Sequence, residues 1–286
     1  MIIDAHVHIF PPEVIGQRRR YADQPGAFKM LYSDPTSPMA AADELIAAMD
    51  EDGIAMSVVC GFPWTDEGVA RMHNDYLVDA ARRHVDRLIP LASVDPLAPW
   101  ALQEASRALA AGAMGLGEIG LYTHDLAEPE AQAAMAPLCS LCAEVDKPVL
   151  LHANEPVGHD YPGKSPMTLR GLYELVRVHD RTRFQLAHLG GGLFFFELLR
   201  KEVCGALCGC VFDLAAAPFL YKAALYPTFI AASGADRLVY GSDYPLLRLP
   251  RYRKHFGQAG LDDETMDKIL GLNAAAFWGI AGACEE

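Results

Sequence analysis

Eight short apolar runs, each followed by a stretch of helical period, constrain this chain more than any other feature. The runs are Ile2–Ile9, Met56–Gly61, Leu88–Val94, Gly115–Ile119, Pro148–His152, Phe184–His188, Cys208–Phe212 and Leu238–Ser242. Most are near-continuously apolar rather than alternating, as strands are when both faces of a parallel sheet are covered. Helical periodicity predicts helices over Asp43–Asp52, Asn74–His84, Trp100–Ala111, Glu130–Asp146, Thr168–His179 and Lys222–Ala232, with Asp262–Leu272 and Asn273–Ile280 closing the chain. Gly53 and Gly112 directly follow two of them, where C-cap glycines belong. Eight such units in 286 residues give an α/β chain folded as a single (β/α)8 TIM barrel spanning 1–286. An open doubly wound sheet is the rival. It needs a glycine-rich phosphate turn after strand 1, where this chain has His-Val-His-Ile-Phe-Pro-Pro-Glu.

No low-complexity stretch or Ser/Gly linker marks a domain boundary. The longest irregular stretch, Pro11–Ala42, follows strand 1, and a loop that long in a compact domain is usually functional. In a barrel it lies over the catalytic face.

The charge excludes whole classes of partner. Lys and Arg number 24 against 37 Asp and Glu, a net −13, which disfavours phosphate backbones and anionic membranes alike. No apolar run approaches the roughly 20 residues of a spanning helix. The N-terminus, Met-Ile-Ile-Asp-Ala-His, has no basic region of a secretory signal. Seven cysteines, an odd number in a chain this large, favour reduced thiols. The expectation is a cytoplasmic protein whose partner is a small-molecule substrate, with room for homo-oligomer contacts through the long loop or C-terminal helices.

Polar residues recur at the C-terminal ends of the predicted strands, where barrel enzymes build their sites. His6 and His8 share one face of strand 1, about 6–7 Å apart along it. His152 ends Pro-Val-Leu-Leu-His, His188 ends Phe-Gln-Leu-Ala-His before Gly190-Gly191-Gly192, and Asp243 ends Leu-Val-Tyr-Gly-Ser-Asp. Each alone is more often a satisfied structural residue. Together at one level of a barrel they can offset the cost of burial by sharing a cation. Glu118, flanked by Gly117 and Gly120 on strand 4, either bridges two ions or accepts a hydrogen bond from a ligating imidazole. No Lys stands at the end of strand 4 or 5 to be carbamylated, so Glu118 is the bridging group if the site is binuclear.

This pattern resembles the amidohydrolase superfamily, and within it the amidohydrolase-2 branch that includes aminocarboxymuconate-semialdehyde decarboxylase and related hydrolases. Met49-Asp-Glu-Asp-Gly-Ile, Leu91-Ala-Ser-Val-Asp-Pro, Ala187-His-Leu-Gly-Gly, Tyr240-Gly-Ser-Asp-Tyr-Pro and Ile269-Leu-Gly-Leu-Asn-Ala extend the likeness over most of the chain. Gly117-Glu-Ile-Gly-Leu departs from it and resembles the strand-4 motif of TatD-type hydrolases, whose Glu is a metal ligand. The resemblance implies that His6, His8, His152 and Asp243 hold a divalent ion, zinc foremost, with two ions if Glu118 bridges. His188 would hydrogen-bond the metal-bound water, or bind a second ion if Glu118 bridges; such a His can also polarise a carbonyl or stabilise an oxyanion, and Asp243 would take and pass on a proton. The implied reaction is hydrolysis of an amide, ester or lactone by metal-activated water. Non-oxidative decarboxylation of a small carboxylic acid is the alternative. A TatD-like phosphodiesterase and a non-catalytic barrel stand behind both. Asp213, after strand 7, reads as an orienting or capping group.

Beyond these, Tyr122, Asn154, His159, Tyr161 and Lys164 lie in polar loops after strands 4 and 5 and are candidate substrate contacts. His124 has a similar claim. Cys139, Cys142, Cys204, Cys208 and Cys210 read as small core residues rather than metal or redox sites. Arg18-Arg19-Arg20 reads as a solvated face, with one Arg clamping a substrate carboxylate as the minority reading. His73, His84, His179 and His255 are expected at the surface.

Overall fold

The apolar runs form eight strands in the computed structural model, which describes residues 1–23, 26–200 and 202–280. They are β1 (Ile3–His8), β2 (Met56–Cys60), β3 (Leu88–Pro90), β4 (Leu116–Ile119), β5 (Val149–Leu151), β6 (Phe184–Leu186), β7 (Cys210–Asp213) and β8 (Leu238–Val239). All pair in parallel, as β1-β2-β3 and β4-β5-β6-β7-β8. Two seams join these arcs. At the first, the Met114 N–H donates to Pro90 O at 2.7 Å and the Gly117 N–H to Ala92 O at 2.9 Å. At the second, the Ala5 N–H donates to Tyr240 O and the His8 N–H to Tyr244 O, both at 2.8 Å. The ring therefore closes in sequence order and leaves no exposed edge.

The helices are α1 (Pro12–Gly16), α2 (Arg18–Ala22), α3 (Ala27–Tyr32), α4 (Ala42–Asp52), α5 (Glu67–Arg83), α6 (Ala101–Ala111), α7 (Pro129–Glu144) and α8 (Leu169–Val178). They continue as α9 (Val203–Leu207), α10 (Ala217–Leu220), α11 (Leu225–Ser233), α12 (Leu249–Phe256), α13 (Asp263–Asp267) and α14 (Asn273–Trp278). Both faces of the strands are dry. Inward-facing Ile3, Ala5, Val58, Leu91, Leu150 and Val239 pack with Trp278 of α14, which covers the end where strands begin. Outward-facing Val7, Val59, Leu116 and Leu151 pack under Leu45, Leu77 and Leu172 of the helices.

Several boundaries differ from the sequence expectation. Helix α5 begins at Glu67, not Asn74, because Asp66 caps it by accepting the Val69 N–H at 2.9 Å. The stretch Pro11–Ala42 carries α1, α2 and α3 rather than irregular chain, because Phe10, Tyr21, Phe28 and Tyr32 bury against Phe62 and Trp64. Strand β6 stops at Leu186, since residues 188 to 192 all take positive φ. Helix α12 had no sequence counterpart; Pro250 starts its first turn. The last six residues, including Cys284 and the end of the expected 1–286 unit, lie outside the described residues.

Some buried residues contradict the expected surface positions. His73 is fully enclosed: it accepts from Trp64 Nε1 at 2.9 Å and donates from Nε2 to Ile9 O at 2.7 Å. Burial pushes it down to about 4. The late start assigned to α5 hid its position on the inner helix face. His255 is also buried, its Nδ1 accepting from Tyr226 at 2.7 Å. Cys204 and Cys208 are exposed rather than core residues, because they sit on and just beyond the short α9, ahead of β7. Cys139, Cys142 and Cys210 are buried.

Candidate metal centre and active-site cavity

A β-bulge in β1 positions the first two imidazoles. Between Asp4 and Val7 the strand carries one residue more than β2 opposite it, so inward-facing Ala5 is followed by inward-facing His6 and His8. Gly241 makes room beside them: a Cβ there would lie 2.8 Å from the His6 Cβ and 3.3 Å from that of Asp213. His152 follows β5, Glu118 lies on β4, and Asp243 follows β8. His188 stands in a left-handed turn at φ 51°, where its N–H donates to Asp213 Oδ1 at 2.9 Å.

Four imidazoles converge, and each has one nitrogen already committed. His6 Nδ1–H donates to Asp213 Oδ2 at 3.0 Å, and His8 Nδ1–H to Gly61 O at 3.1 Å. His188 Nδ1–H donates to Ala215 O at 2.9 Å, and His152 Nε2–H to Gly163 O at 3.1 Å. These acceptors fix the tautomers, as the outer partners of ligating histidines do. The remaining nitrogens all face Glu118. Its Oε1 lies 2.9 Å from His152 Nδ1, 3.7 Å from His6 Nε2 and 3.8 Å from His188 Nε2, and its Oε2 lies 3.6 Å from His8 Nε2. Four lone pairs and a carboxylate turned on one another need positive charge among them. The donor set fits a divalent cation: buried imidazoles, the Glu118 carboxylate and the Cys60 thiol, with the Asp243 carboxylate 3.6 Å from His8.

The electrostatics agree. Burial alone would strip the proton from His6, but Asp213 and Glu118 outweigh it and hold the imidazole well above its ordinary value. For His8, burial is likewise outweighed by Cys60 and Glu118, giving about 9. Burial opposes the charged form of Glu118, yet His152, His6 and His8 keep it well below the usual carboxylate range. In the metal-free protein, protons must do what a cation would do.

Above the cluster opens a cavity of about 410 Å³. One wall is aromatic: the Tyr122 ring lies 4.9 Å from that of His152 and 6.1 Å from that of Phe62, tilted only 18° from the latter. Tyr32 of α3 completes it edge-on to Phe62 at 5.6 Å. The long loop after β1 thus forms part of the cavity. Asp243, 17% exposed, faces the opening with Oδ1 3.6 Å from His8 Nε2.

His6, His8, Glu118, His152, His188 and Asp243 are brought together; Tyr122, His159 and Tyr161 line the cavity. Asn154 and Lys164 do not. Asn154 is buried beneath, its Oδ1 accepting from the Ser165 N–H at 2.9 Å and hydroxyl at 2.7 Å. Lys164 Nζ is spent on the Val157 and His159 carbonyls, both at 3.1 Å, and on Glu155. Both organise the loop instead of facing substrate. Arg18 likewise ties the β1 loop, donating to the Asp34 and Pro35 carbonyls, and clamps nothing in the cavity. Asp213 is the orienting group, taking hydrogen bonds from His6, Gln185, His188 and Ala215.

Cys60, Tyr32 and Phe62 were missed. Cys60 ends β2 directly opposite His8, so the strand-end criterion that found the histidines applied to it as well.

Comparison with known proteins places this architecture. An amidohydrolase family model (Amidohydro_2) matches residues 3–280. The chain belongs to the amidohydrolase family. No curated protein matches it significantly in sequence. Among solved structures, this amidohydrolase chain is similar to 5-carboxyvanillate decarboxylase from Sphingomonas paucimobilis (TM-score 0.76, 16% identity, covering 97% of this chain and 98% of that one). A dihydroxybenzoic acid decarboxylase from a Polaromonas species, with bound manganese and 2-nitroresorcinol, gives TM-score 0.71 at 15% identity over 97% and 96%. A probable 2-pyrone-4,6-dicarboxylic acid hydrolase from Acinetobacter baumannii, with citric acid bound, gives 0.60 at 17% over 97% and 99%. At these identities the likeness shows the TIM-barrel fold.

Proposed function

We propose that this protein is a metal-dependent, non-oxidative decarboxylase of a small hydroxylated aromatic acid. The observation that carries the proposal is the cavity: the nearly parallel rings of Phe62 and Tyr122 stand beside the imidazole cluster, and among the described residues no Lys or Arg lines it. Such a slot takes one ring. One anionic group can be neutralised at the cluster; a second carboxylate would find no cation. The decarboxylases among its structural relatives support this reading over the hydrolysis that the sequence put first. Hydrolysis has the pyrone-dicarboxylic acid hydrolase on its side. A cavity lined, among the described residues, by no Lys or Arg suits a dicarboxylate poorly, which counts against a pyrone dicarboxylate and 5-carboxyvanillate alike and leaves a monocarboxylic acid as the better fit.

His6, His8 and His152 would hold the ion through their uncommitted nitrogens, with the Glu118 and Asp243 carboxylates. When bound, it supplies positive charge for the substrate's oxygens. The residues of the chain do the rest. Phe62, Tyr122 and Tyr32 clamp the ring and exclude water from its faces. His188, its Nδ1–H fixed on Ala215, presents Nε2 to take the proton of a ring hydroxyl, which enriches the ring carbon bearing the carboxylate. Asp243 delivers a proton from its carboxyl to that carbon. The C–C bond then breaks, its electron pair stays on the ring, and CO2 leaves. His188 returns its proton to the ring oxygen of the product, and Asp243 regains its own from solvent at the cavity mouth.

The test is to incubate manganese- and zinc-loaded protein with a panel of hydroxybenzoates, aryl esters and lactones. CO2 release from a hydroxybenzoate, with deuterium at the vacated carbon in D2O, is the expected result. Ester or lactone opening without any CO2 release would overturn decarboxylation.

A further inference from the structure

We infer that Cys60 is a thiolate ligand of the cation held by His6 and His8, so that this side of the centre selects a soft divalent ion. The inference deepens the metal reading above and rests on it.

Cys60 is fully buried at the end of β2, paired in register with His8. Its Sγ lies 3.5 Å from His8 Nδ1 and 3.9 Å from His8 Nε2. Ligand atoms of Cys60, His6 and His8 all fall within 4.8 Å of one another. The other trio, Glu118, His152 and His188, meets the same criterion without sulfur. The centre thus has an oxygen-and-nitrogen side and a side that includes sulfur. Other buried cysteines do not share this setting: Cys139 and Cys142 sit in the apolar contacts of α7. An apolar residue at position 60 would serve the barrel interior as well, since Val58 precedes it on the same face. The thiol instead stands next to two imidazoles whose free nitrogens face each other at 3.2 Å.

The proton balance is simple. In its protonated form the thiol donates to the Val7 carbonyl at 3.3 Å. Coordination replaces that proton by the cation, and it leaves to solvent. Thiolate favours zinc, cobalt and cadmium over manganese and magnesium, which prefer oxygen.

The experiment loads chelator-stripped full-length protein with Co(II) and records its near-ultraviolet absorption, for wild type and Cys60→Ser. Wild type should show an intense sulfur-to-cobalt charge-transfer band that Cys60→Ser lacks while still holding cobalt by elemental analysis. The preference for zinc over manganese should fall about tenfold or more, the scale set by losing even an outer partner of a ligand. Should the variant not fold, X-ray absorption at the zinc edge of wild type decides, with one sulfur expected at roughly 2.3 Å. Cobalt bound without the band, the band retained in Cys60→Ser, or a zinc shell of nitrogen and oxygen only would overturn the assignment. Failure to take up any cation would overturn the metal reading itself.

Discussion

His6 and His8 turn their Nε2 atoms toward each other across 3.2 Å, while their Nδ1 atoms are held by Asp213 and Gly61. Both rings sit in a buried, anionic site that raises them, His8 to about 9. A group whose folded value is raised stabilises fully below its unfolded value, near 6.5, and ceases to do so as pH climbs through the folded one. Asp4, pushed up to about 7 by burial, and His73, pushed down to about 4, act in opposite senses mainly at lower pH. Chelator-treated protein should therefore lose thermal stability between about pH 6.5 and 9. The metal-loaded form should not, because a cation competes best when imidazoles are deprotonated. Melting curves at three pH values with and without zinc measure this; a flat metal-free profile contradicts it.

In the proposed reaction Asp243 delivers the proton, and Asn cannot. Asp243→Asn should keep the barrel, whose seam uses the backbone N–H of residue 243 to His6 O rather than its side chain. Turnover should fall about 10²- to 10⁴-fold. Near-normal activity with an unchanged melting temperature would remove Asp243 from the proton path.

The barrel was legible because apolar runs and helical period repeat, and the strand ends because polar residues interrupt those runs at one end. His6, His8, His152, His188 and Asp243 stood out for that reason. Cys60 did not, since a cysteine inside Val-Val-Cys-Gly reads as one more apolar residue. Tyr32 and Phe62 escaped because loop aromatics reach the cavity through packing across distant segments, which carries no local period. Asn154 and Lys164 looked like substrate contacts because polar loop residues do; only the fold shows their groups spent on Ser165 and on carbonyls.

Asp213 receives hydrogen bonds from His6, Gln185, His188 and Ala215, all at 2.8 to 3.0 Å. Asp213→Ala orphans buried donors and frees both imidazole-bearing segments. Stability should drop by about 1–3 kcal/mol or more, and metal affinity by about 10- to 100-fold. Urea unfolding and competition with a chromogenic chelator read the two effects separately. A variant that loses stability alone would make Asp213 a structural brace with no hold on the centre.

Among the described residues Glu118 is the one carboxylate within 3.8 Å of all four imidazoles, through Oε1 to three and Oε2 to the fourth. Its charge is what makes the cluster attractive to a cation, and Gln keeps its shape without that charge. Glu118→Gln should therefore bind less metal at a fixed free concentration. A bridged pair falls from two ions to one, whereas a single ion shows only weaker affinity. His6 and His8 would also lose one of the charges that raise them, so the pH-dependent loss of stability in the metal-free variant should be smaller and end at a lower pH than in wild type. Elemental analysis over a zinc titration, run beside the melting curves, measures both. Unchanged metal content and an unchanged profile together would mean that the lone pairs are balanced by something other than Glu118.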